Sequence, residues 1–104
     1  MLSRFFSKEG MKTIGAINTS ASITTITTPN ASWTATKDCW IVGSVSSING
    51  TTANVNVNNV AVVGIGNTAT SSFVCFPVKK GQTVTTRNAD SSKVAFSLTA
   101  YEMF

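Results

Sequence analysis

The side chains able to do chemistry are few, and the sequence scatters them. There is no histidine, and the only acids are Glu9, Asp38, Asp90 and Glu102. General acid–base catalysis ordinarily rests on His or on a carboxylate with a tuned pKa. Glu9 and Glu102 stand near the two ends of the chain. Asp38 and Asp90 fall in turn contexts, where an Asp side chain commonly bonds nearby backbone. Cys39 and Cys75 have no metal-like spacing and no imidazole to activate them. No serine sits in a nucleophile-elbow motif. Gly64-Ile65-Gly66 begins like a dinucleotide fingerprint, but no third glycine and no helix follow. The clustered acids that calcium needs are also missing. These residues predict a protein that is not an enzyme, with no cofactor and no metal.

The elements that would carry them read as β throughout. Gly, Asn, Ser and Thr recur too often for a helix of ordinary length, and period-two segments alternate with turn signals. Thr13 to Asn18 and Ser22 to Thr28 are extended segments, the second ended by Pro29-Asn30. Ser32 to Ala35 and Cys39 to Ser46 follow, the latter closed by Asn49-Gly50, a strong hairpin signal. In Ala53 to Asn58, Val55 and Val57 take one face and the asparagines the other. Val60 to Ile65 is apolar without a break, which predicts a strand covered on both faces. Ser71 to Val78, Thr83 to Arg87 and Val94 to Tyr101 complete the set; in the last, Val94, Phe96 and Leu98 share a face. The pattern says an all-β sandwich or barrel of about eight short strands. Residues 1–10 read as an N-terminal arm and 11–104 as the sandwich domain.

Cys39 and Cys75 lie inside apolar strand-like runs, where a free cysteine behaves as a small buried hydrophobe. A disulfide remains open if the two strands face each other. The large aromatic residues, Trp33, Trp40, Phe73, Phe76, Phe96, Tyr101 and Phe104, are assigned to the core by default.

Charged residues make up only 12 % of the 104, with Ser, Thr and Asn in their place. Little charge means little repulsion between copies, which suits a subunit of an assembly. The net charge of +4 does not imply nucleic acid, because the basic residues are scattered and only Lys79-Lys80 are adjacent. No stretch approaches the ~20 apolar residues of a membrane span. The N-terminus lacks the apolar segment and cleavage site of a signal peptide, so synthesis in a cytoplasm without general secretory export is expected.

One stretch carries a resemblance. Trp33-Thr34-Ala35, a polar turn with Asp38, Cys39-Trp40-Ile41-Val42, Ile48-Asn49-Gly50, Pro77-Val78-Lys79-Lys80-Gly81-Gln82-Thr83-Val84 and a closing β run to Tyr101 follow in order. Together they resemble the small jelly-roll domains of tailed-bacteriophage virion proteins, which occur at fibre tips and as capsid decoration proteins. Those domains are similar in architecture to tumour-necrosis-factor-like jelly rolls. Many carry Gly where this chain has Cys39. The resemblance makes the expected fold an antiparallel, jelly-roll-like β-sandwich, and it implies a homotrimer located in the virion after synthesis in the host cytoplasm. It implies a capsid decoration or cement subunit, whose partner is the major capsid protein or another virion protein.

Two alternatives stand beside that reading. One is a receptor-binding knob of a tail or head fibre, although Met1 to Gly10 is too short for a shaft. The other is a glycan-binding β-sandwich module with Trp33, between Ser32 and Thr34, as its platform. Leu2, Phe5 and Phe6 of the arm form an apolar set suited to anchoring on a neighbouring virion protein, since unpartnered Phe-Phe on a tail is a liability.

Overall fold

A computed structural model describes residues 16–48, 51–66, 70–88 and 90–104. Leu2, Phe5 and Phe6, Glu9 and the turn at Asn49-Gly50 lie outside the described residues. Eight strands run in chain order: β1 (Ile17–Ile26), β2 (Ser32–Thr34), β3 (Cys39–Ser47), β4 (Ala53–Val57), β5 (Val60–Ile65), β6 (Thr70–Val78), β7 (Thr83–Asn88) and β8 (Val94–Met103). A 3₁₀ turn, Ser91–Lys93, leads into β8.

They form two antiparallel four-stranded sheets, ordered β1-β8-β3-β6 and β2-β7-β4-β5. The first strand pairs with the eighth, the second with the seventh, the third with the sixth and the fourth with the fifth. That nesting is the wrapping of a jelly roll, an order that the strand pattern alone does not give.

The inner faces meet in one core. β3 contributes Cys39, Ile41 and Val45, and β8 contributes Phe96, Leu98 and Ala100. The second sheet answers with Ala53, Val55, Ile65 and Val84. Every one of these is at an alternate position of its strand, so the period-two pattern does the sorting. Gly43 is needed at the centre of β3, because a Cβ there would lie 1.8 Å from the Ser97 carbonyl oxygen of β8.

Several expectations change. The segments Thr13 to Asn18 and Ser22 to Thr28 are not two strands: Ile17–Ile26 is continuous, with register shifts against β8 between Ile17 and Ser22 and between Ser22 and Thr24. These irregularities absorb the polar Asn-Thr-Ser-Ala interruption that reads as a break. Val60 to Ile65 is not covered on both faces. Strand β5 is the edge of its sheet, Val60 is 65 % exposed, and Val62 is an extra residue bulged out of the β4 ladder at 45 %. An apolar run cannot reveal whether a neighbour exists on each side. Cys75 is exposed, not buried, and Phe73 is 91 % exposed, not a core aromatic. Cys39 is the buried thiol, and both cysteines are free.

Candidate interaction face

The register fixes which side chains share the outer surface of the β1-β8-β3-β6 sheet. Since Cys39, Ile41, Val45 and Ser47 are buried, the even residues of β3 point outward. Across the sheet, Trp40 is flanked by Pro77 and Tyr101, and Val42 by Cys75 and Thr99. Below them Ser44 is flanked by Phe73 and Ser97, and Ser46 by Ser71 and Ala95. Among the described residues no charged side chain lies on this face. Trp40, Pro77, Tyr101, Val42 and Cys75 weight one half toward apolar and aromatic side chains, and serines weight the other, where Phe73 stands beside Ser44.

Charge is displaced to the ends of the sandwich. At one end the Lys37 ammonium lies 3.1 Å from Glu102 Oε1, and the backbone N–H of Lys80 donates to Asp38 Oδ1 at 2.9 Å. At the other, Asp90 Oδ1 accepts from both the backbone N–H and the hydroxyl of Ser92, at 3.0 and 2.7 Å. Those bonds, with Lys93 nearby, hold the Asp90 carboxyl below its ordinary range. Burial pushes the Cys39 thiol up, and the charge of Asp38 adds to this. Each described acid therefore has a local structural partner, and no three acids or thiols among the described residues converge on a metal-sized site.

The outer surface of the second sheet is built differently. Ser32 and Thr85 share a hydroxyl–hydroxyl bond of 3.3 Å, and Thr34 and Thr83 one of 3.0 Å. Asn54 donates to Asn56 Oδ1 at 3.2 Å, and Arg87 stands opposite Asn54. Asn56 faces outward yet is buried beneath these neighbours.

The sheet flanks differ as well. Strands β5 and β6 are both edges on the same side of the sandwich, separated by a groove of about 340 Å³ lined by Val62, Val63, Gly64 and residues 72–76. Trp33 is on the far flank. It is half-buried, packs against the core, and borders a cleft of about 220 Å³ with Thr24 to Thr28, Ala31 and Ser32.

Two positioning features escaped the sequence reading. The Thr86 hydroxyl, fully buried, donates to the Thr28 carbonyl at 2.8 Å and accepts from the Ala31 N–H at 3.1 Å, clipping the β1–β2 corner to β7. Asn58 and Asn59 both adopt positive φ, 47° and 66°, making the two-residue β4–β5 hairpin. The Asn-Asn pair was the available signal for that turn. A buried Thr gives no such signal.

This chain matches no known protein family, no curated protein and no solved structure.

Proposed function

We propose that this chain is a non-enzymatic structural subunit of a phage virion, a capsid decoration or cement protein. It associates with copies of itself, as the homotrimer the resemblance implies, and with the major capsid protein or another virion protein. The uncharged outer face of the β1-β8-β3-β6 sheet carries this reading. Four strands about 4.8 Å apart and nine residues long present roughly 500–600 Å² per copy, so two such faces together reach the ~1,000 Å² of a specific interface. A monomer surface does not need Trp40, Val42, Phe73 and Tyr101 on one uncharged face, and an interface core is where charge is depleted and aromatics are enriched.

The test is the mass of the purified chain by light scattering at micromolar concentration, followed by electron microscopy of particles carrying it. A multiple of 10.9 kDa and copies spread over the shell are expected. A single-copy mass with no particle binding would remove the proposal.

A further inference from the structure

An antiparallel sandwich has four edges, and three of these are blunted against further pairing. Strand β1 shifts register twice, β2 is three residues long, and β5 carries the Val62 bulge. Such devices discourage strand addition. Strand β6 has no register shift, truncation or bulge, and its one such device, Pro77, stands next to its last residue. It runs nine residues in unbroken register with β3, from Val78 opposite Cys39 to Thr70 opposite Ser47, and contains no charge.

Pro77 shows which backbone groups face out. Proline has no N–H, so within a sheet it occupies positions whose N–H would point away from the neighbouring strand. Pro77 lies opposite Trp40. In an antiparallel strand alternate residues direct N–H and C=O to the same side. Ser71, Phe73 and Cys75 therefore present donor and acceptor to the open edge. Their side chains lie on the uncharged outer face described above, and Phe73 is the most exposed large apolar residue among those described.

We propose that β6 pairs with β6 of a second copy, antiparallel across a two-fold axis at Phe73, continuing the sheet from one subunit into the next. Phe73 then faces the partner's Phe73, and Ser71 faces the partner's Cys75. Each of the three residue pairs exchanges two backbone hydrogen bonds, and Pro77 stays outside the ladder. The two Phe73 rings cover each other as a cross-strand aromatic pair. A second copy fits by charge: the chain is +4, and copies of like charge meet best on a neutral edge. Antiparallel pairing also keeps the two Lys79-Lys80 pairs about 40 Å apart, far beyond the ~8 Å screening length. A parallel arrangement would set them side by side. Self-association is common to this inference and to the assembly reading, but the edge contact does not depend on a virion role.

The experiment uses Ser71→Cys in the full chain. Opposed residues of a hydrogen-bonded antiparallel pair have Cα atoms about 5.5 Å apart, which suits a disulfide. Mild oxidation should convert the variant to a covalent two-copy species in high yield, while wild type and the S71C/C75S double variant remain uncrosslinked. Phe73→Lys should lose the non-covalent contact with an unchanged circular dichroism spectrum and melting temperature. Amide exchange at Ser71, Phe73 and Cys75 should slow at least tenfold between dilute and concentrated wild type. A mass of two copies, or of six where a three-fold contact is also made, with S71C crosslinking, supports the edge pair. Three copies with no crosslinking would overturn it and leave the assembly reading intact. One copy at every concentration would overturn both.

Discussion

The two outer faces of this sandwich are made from similar strands and solve different problems. On the β2-β7-β4-β5 sheet the outward hydroxyls and amides bond one another, across strands as in Thr34 with Thr83 and along one strand as in Asn54 with Asn56. Such a surface is content in water. On the β1-β8-β3-β6 sheet the outward positions of β3 and the edge strand β6 include Trp40, Val42, Cys75 and Phe73, with Thr99 beside Val42 and serines toward one end. Both faces avoid lysine and glutamate, so net composition hides the contrast. Position within the register reveals it.

The largest effect should come from the strand that both the core and the apolar face depend on. Gly43→Ala places a methyl group against the Ser97 carbonyl, which requires β3 and β8 to separate. We expect a loss of about 3 kcal/mol in chemical denaturation, the upper range of overpacking costs. The second sheet has its own weak point. Thr86→Val strands the Thr28 carbonyl and the Ala31 N–H, at a cost of about 1–3 kcal/mol. If that loss were absent, the corner between the sheets would not depend on the Thr86 clip.

The faces themselves separate stability from association. Val42→Lys should change stability by less than about 1 kcal/mol but abolish the contact made through this face, read as a fall in mass by sedimentation to what the β6 edge contact alone sustains. Thr34→Val on the opposite face should stay within about 0.5 kcal/mol and leave the mass unchanged. Equal effects on mass from the two substitutions would erase the distinction between the faces.

The smallest effect is electrostatic and belongs to neither face. The Asp90 carboxyl is held low by Ser92, so its contribution is present above the ordinary aspartate pKa of about 3.9 and is lost as pH falls through the folded value. Asp90→Asn should therefore melt slightly below wild type at neutral pH, with the gap closing below about pH 4. A gap that widened on acidification would contradict the hydrogen-bond assignment.

Much of the fold was legible because alternation is a local signal. Val94, Phe96 and Leu98 share a face in the sequence and do so in the structure, with Phe96 and Leu98 buried in the core. What alternation cannot convey is neighbourhood. Val60 and Val62 are apolar and exposed because β5 is an edge, and Phe73 is exposed because β6 is another; strand order is set by pairings far apart in the chain. The candidate face was illegible for the same reason. Trp40, Phe73 and Tyr101 come onto one face only after three distant strands are placed side by side. Trp33 is less open than its polar sequence neighbours suggest, since its ring packs on the core.

The pairing of the first strand with the last has a mechanical consequence. Ile17 lies opposite Met103, and the Phe104 N–H donates to the Ala16 carbonyl at 2.8 Å, so residues 16 and 104 meet at one corner. Tension applied between them would peel β1 from β8 one hydrogen bond at a time, with no set of bonds sharing the load. Pulled lengthwise from opposite ends of β3 and β6 instead, the ladder between those two strands would be loaded in shear and its bonds would resist together. The subunit is thus soft along one direction of force and stiff along another, and how it is attached would decide which of the two its surroundings feel.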